Sequence, residues 1–148
     1  LLGVGSSFEV TLMGTLIGLL AFSNFYLFMG RSGAPFTFAS VTTLQYAAAT
    51  AISYATIVFC QYVNILQRRS TRHTLFSPIF FSNPILLYST LISAGLVLIL
   101  IYVPGIRDFL SFAPLRSGDW LYIFAAAGLY LFFFEVLKLV KRRISLRN

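Results

Sequence analysis

An all-α membrane bundle of four transmembrane helices is the fold this chain predicts, and three observations predict it. Of the 148 residues, 58% are hydrophobic and only 10% charged, with a mean hydropathy of +0.85, far from a soluble globular domain. Four apolar stretches, 10–29, 42–66, 85–103 and 120–140, each approach the roughly 20 helical residues that cross a hydrocarbon core of about 30 Å. The charges also sort by side. Arg68, Arg69 and Arg72 follow the second stretch, and Lys138, Lys141, Arg142, Arg143 and Arg147 close the fourth, so eight of the eleven basic residues share one side. A positive-inside bias then places both termini in the cytoplasm.

The same patterns exclude other classes. A membrane β-barrel needs period-2 alternation, whereas Leu96-Val97-Leu98-Ile99-Leu100-Ile101 is apolar on every side. The first stretch lacks the basic start of a cleaved secretory signal. The net charge of +7 lies at helix ends, where it meets anionic headgroups, so the partner it implies is the lipid membrane and not nucleic acid. Cys60 is the lone cysteine, inside the second apolar run, so it offers no intrachain disulfide and no metal spacing and reads as a packing residue. His73, beside Arg72 in the cytoplasmic connection, carries no assigned chemistry.

The first helix carries Gly14 and Gly18, four apart on one face, a spacing that lets another helix backbone approach closely, within the chain or in a second copy. Ser23 and Asn24 in the same helix need polar partners, with Asn24 near enough to the outer surface to find water. The stretch 30–40 reads as an outer loop, with Pro35 stopping the first helix. Thr42 or Thr43 offers a cap for the second helix. The aromatic connection from Ser70 to Pro84 is expected against the membrane surface, with Asn83-Pro84 opening the third helix. Tyr102-Val103-Pro104-Gly105 ends that helix. Residues 106–118 suggest a hairpin whose Phe109, Phe112 and Leu115 dip into the interface while Arg107, Asp108 and Arg116 stay wet. Asp119-Trp120 opens the fourth helix with an acid at the positive end of the helix dipole and an aromatic at headgroup level.

The polar groups at membrane depth are the candidate site. Gln61, Asn64 and Arg68 continue the stripe of Tyr54 and Ile57 at steps of three or four residues, so the two amides share one face of the second helix. Amides in lipid need hydrogen-bond partners. Their oxygens are hard, neutral ligands for a cation, or they stitch the helix to its neighbours, and spacing leaves both readings open. On the fourth helix, Glu135 and Lys138 stand three apart, as an intrahelical ion pair does, and a structural clasp is the expected role for them. The four acids Glu9, Asp108, Asp119 and Glu135 are scattered, so no paired-carboxylate site and no catalytic residue follows.

In order along the chain, the glycine-bearing first helix, Gln61-Tyr62-x-Asn64 with its following arginines, and Tyr102-x-Pro104-Gly105 precede Trp120 and Phe134-Glu135-Val136-x-Lys138-Leu139-Val140-x-Arg142-Arg143. This order resembles the C-terminal transmembrane domain, the seventh to tenth helices, of type II P-type cation-transporting ATPases, over nearly the whole chain. The resemblance implies a membrane support domain that braces the transport helices and, through Gln61 and Asn64, lends ligands to the transported cation. Related pumps carry acids where these amides stand. Asp-Lys-Thr-Gly-Thr and Thr-Gly-Glu-Ser do not occur, and the chain begins at Leu1, which suits the C-terminal part of a longer pump. The resemblance therefore implies no cofactor in this chain, with ATP and Mg acting on the remaining ATPase domains of the same polypeptide. The rival expectation is a stand-alone four-helix membrane subunit, or a small transporter acting as an oligomer, with Gly14 and Gly18 at its seam.

Overall fold

The computed structural model describes residues 4–33, 41–69 and 84–145. The expectations for residues 34–40 with Pro35, for 70–83 with Arg72 and His73, and for Arg147 lie outside the described part. The elements are α1 (Val4–Arg31), α2 (Thr43–Arg69), α3 (Pro84–Tyr102), the single turn α4 (Ile106–Phe109) and α5 (Ser117–Ser145).

Each long helix has local reasons to start and stop. The α1 helix runs 28 residues without proline and ends where Ser32 donates its backbone N–H to the Phe28 carbonyl and its Oγ to the Met29 carbonyl. Gly33, at φ 72, then takes the left-handed turn that commonly closes a helix. Thr42 caps α2 reciprocally with Gln45: the Gln45 N–H donates to Thr42 Oγ1 at 3.2 Å and the Thr42 N–H to Gln45 Oε1 at 3.0 Å. Pro84 opens α3, as its fixed φ and missing N–H favour. Gly105, at φ 83, turns the chain out of α3 into α4, and Ser111, at φ 54, turns it again toward α5.

The α2 helix is central, touching α1, α5 and α3. Its Ala48, Ala49, Ala51 and Ala55 are buried, and such small side chains let neighbouring helices come close. One core cluster joins Ala51, Ile52 and Ala55 to Val97, Ile101, Leu115 and Ile123. A second joins Met13 and Ile17 to Cys60, Tyr130 and Phe134. The outward faces remain apolar: Leu19, Phe22, Leu129, Phe132 and Leu139 are all exposed, as in helices whose solvent is lipid.

Three helices, α1, α2 and α5, are long and apolar enough to cross a membrane. The expected third span is represented among the described residues by the shorter apolar helix Leu87–Tyr102. With 19 residues, α3 is about 28 Å long at ~1.5 Å per residue. The region 106–118 is a helical turn followed by an extended return. Leu115 is buried and Phe112 packs on Tyr54 at 5.3 Å, whereas Phe109 is 87% exposed.

Candidate functional site

The last turns of α2 carry the two predicted amides as a ladder along one helix. Side chains on a helix lean toward its N-terminus, so each polar head here reaches back one turn. Arg68 Nε donates to Asn64 Oδ1 at 3.0 Å, and Asn64 Nδ2 donates to Gln61 Oε1 at 3.2 Å. Gln61 and Arg68 are exposed and Asn64 is half-buried. Each amide oxygen thus accepts a hydrogen bond from a donor one turn further along its own helix.

A third amide, passed over in the sequence, lies on the buried side. Gln67 is 1% exposed and bridges α2 to α5. Its Nε2 donates to Glu135 Oε1 at 2.7 Å, and its Oε1 accepts from Lys138 Nζ. Glu135 and Lys138 stand 3.8 Å apart, and Lys138 also lies 5.4 Å from the centroid of the Phe134 ring. Burying this acid and this cation is tolerable because each has both a counter-charge and an amide partner. The spacing of Gln61 and Asn64 was legible, but the partners of Gln67 sit 68 and 71 residues away.

At the opposite end, Asp119 is 5% exposed and serves two elements. Its Oδ2 accepts the Arg116 N–H at 2.9 Å, capping α5, and its Oδ1 pairs with Arg31 at 3.2 Å, joining α5 to α1. The Arg31 guanidinium lies 3.7 Å from the centroid of the Tyr122 ring. Between the two ends, Asn24 is buried and donates to Thr56 Oγ1 at 2.8 Å and to the Tyr122 carbonyl at 3.1 Å, so one side chain ties three helices. Its partners are protein groups instead of the surface water its position suggested. Trp120 Nε1 donates to Tyr102 Oη at 2.8 Å, and Tyr102 Oη donates to the Leu115 carbonyl at 2.9 Å, fastening the end of α3 to the start of α5.

Other candidates stand differently. A methyl group added at Gly14 or Gly18 would meet no atom within 4 Å, so no described helix uses their close approach. Cys60 is buried in the second core cluster. Among the described residues no group of three or more His, Cys, Asp or Glu is placed to hold a metal ion. Tyr130 is fully buried, and its hydroxyl has no hydrogen-bond partner among the described residues. Tyr130→Phe is therefore expected to leave stability within about 0.5 kcal/mol of the parent or to raise it, because no bond is lost and a buried polar atom goes. Thermal unfolding in detergent checks this, and a loss above about 1 kcal/mol would reveal a hidden partner.

Apolar helices with lipid-facing exteriors, stitched inside by buried amides and ion pairs, define an integral, multi-pass membrane protein. The chain belongs to the family described as "Cation transporting ATPase, C-terminus", which it matches over residues 1–140. It is 29% identical over 111 residues to the potassium-transporting ATPase alpha chain 1 of Xenopus laevis, a match covering 75% of this chain and 11% of that protein. It thus corresponds to a small part of that relative's length, the C-terminal membrane part of a P-type cation-transporting ATPase.

Proposed function

We propose that this chain is the C-terminal membrane support domain of an ATP-driven cation pump, bracing the transport helices and lending Gln61 and Asn64 to the ion site. In this reading α3 is the fourth span of the bundle, slightly tilted or locally matched by the bilayer, and both termini lie in the cytoplasm with the basic ends of α2 and α5. ATP and Mg act on upstream domains of the same polypeptide.

The observation that carries the bracing role is the polar cross-linking of α1, α2 and α5 at three depths: Arg31 to Asp119, Asn24 to Thr56 and the Tyr122 carbonyl, and Gln67 to Glu135 and Lys138. Apolar contacts alone allow helices in lipid to slide or rotate, whereas bonds at separate heights fix their mutual register. The ligand role is supported by the amide ladder, where two neutral oxygens, on exposed Gln61 and half-buried Asn64, accept from movable side chains of their own helix that an ion could displace. Neutral amide oxygens suit a monovalent cation better than a divalent one, whose dehydration calls for more ligand charge.

The test is Gln61→Ala and Asn64→Ala, separately, in the full-length protein. If either side chain coordinates the ion, the cation concentration for half-maximal ATPase activity rises by about tenfold, the equivalent of ~1.4 kcal/mol of ligand binding. Unchanged half-activation in both variants would sink the ligand assignment and leave bracing alone.

A further inference from the structure

We infer that Arg68 is a tethered cation that competes with the transported ion for the Asn64 amide oxygen, and that it sets the charge preference of that site. The inference rests on the reading of Gln61 and Asn64 as ligands and gives a role to the first arginine that follows them. An arginine at the cytoplasmic end of a membrane helix ordinarily extends its head toward water and headgroups. Here the lean of helical side chains carries the exposed Arg68 one turn back along α2, and its Nε donates to Asn64 Oδ1 at 3.0 Å. That bond occupies the oxygen a cation would use. It also orients the amide, whose Nδ2 then donates to Gln61 Oε1 at 3.2 Å, so both candidate ligand oxygens are held by a chain of donors that starts on a positive charge.

An incoming ion must displace this chain. Arg68 is exposed, so its long stem can swing away without opening a cavity in the core. The acid on α5 does not offset the guanidinium directly, since Glu135 is engaged by Gln67 and Lys138. Repulsion from a fixed positive charge grows in proportion to the charge of the ion, so Arg68 penalises a divalent cation about twice as strongly as a monovalent one. The site with Arg68 in place therefore selects singly charged ions, and ion affinity is lowered by the fraction of time that Arg68 occupies Asn64.

The experiment is equilibrium binding of radioactive rubidium and calcium to the purified full-length protein and to its Arg68→Gln, Arg68→Lys and Asn64→Ala variants. If Arg68 occupies the oxygen about nine-tenths of the time, Arg68→Gln tightens rubidium binding roughly tenfold. Calcium binding tightens by a larger factor, and Arg68→Lys, which keeps the charge, retains the discrimination against calcium. A merely structural arginine would not shift the two ions unequally. If Asn64→Ala weakens rubidium binding while Arg68→Gln changes neither ion, the ligand reading stands and the tethered-cation role is overturned. If Asn64→Ala changes nothing, both fall together. Because Arg68 is exposed, its variants are expected to elute as the parent does in detergent; should Arg68→Gln not, Arg68→Met replaces it with the same expected shifts.

Discussion

Lys138→Met is expected to lower the stability of the membrane domain by about 2 to 3 kcal/mol, less than the 3–5 kcal/mol that follows from breaking a fully buried ion pair. The discount reflects side chains that are 13% exposed for Lys138 and 26% for Glu135. Without the ammonium, Glu135 keeps the Gln67 amide donor but loses the counter-charge of Lys138, and its short stem cannot carry the carboxylate far toward water. The converse change, Glu135→Leu, leaves a long lysine that can snorkel to the membrane surface and should cost less. Replacing all three groups, Gln67→Leu with Glu135→Leu and Lys138→Met, should recover most of the loss, because apolar substitutes for a whole buried polar cluster are often neutral. Thermal unfolding of the full-length protein in detergent reads all three. A Lys138→Met variant as stable as the parent, or a triple variant far worse than it, would remove the clasp from the account.

The second large effect is expected at the other end, where Asp119→Ala should cost about 2 kcal/mol through loss of a helix cap and of a partly buried ion pair. The cap carries more of this than the pair does, since Arg31 is 36% exposed and ion pairs open to water contribute little. Arg31→Ala alone should thus cost less than Asp119→Ala, although it also surrenders the stacking on Tyr122. A double-mutant cycle over the two positions should give a coupling of about 1 kcal/mol. Zero coupling, with equal losses in both single variants, would mean that Asp119 acts on α5 alone.

How far the sequence could be read depended on whether a signal was local. Hydropathy marks the slab of lipid, so α1, α2 and α5 were legible as spans. Their ends were not, because the helices continue past the apolar slab: α1 runs to Val4 and Arg31 and α5 to Ser117 and Ser145, where hydropathy has already fallen. Proline and glycine are local signals too, and the breaks at Pro84 and at Pro104-Gly105 fell where those residues stand. The amide stripe of Gln61 and Asn64 was legible from its period, and the i,i+3 spacing of Glu135 and Lys138 was equally visible. That Gln67 stands between Glu135 and Lys138, and that Asn24 meets Thr56 and the Tyr122 carbonyl, were not legible, since each depends on the rotation of one helix against another. For Gly14 and Gly18 the spacing alone left open whether the neighbour lies within the chain or in a second copy. Among the described residues, no atom of this chain lies within 4 Å of a methyl group added at either position.

The three polar links sit at different heights along α1, α2 and α5, and their spread bears on how the domain meets bilayers of unequal thickness. A bundle held only by apolar contacts can answer a thinner or thicker membrane by letting each helix tilt or slip on its own, at a fraction of a kcal/mol per Å of mismatch. Here slippage of α5 past α1 would break Arg31 from Asp119, and slippage past α2 would break Gln67 from Glu135. Thickness changes must then be taken up by tilting the three helices together as one body, so that whatever is seated on them tilts through the same angle.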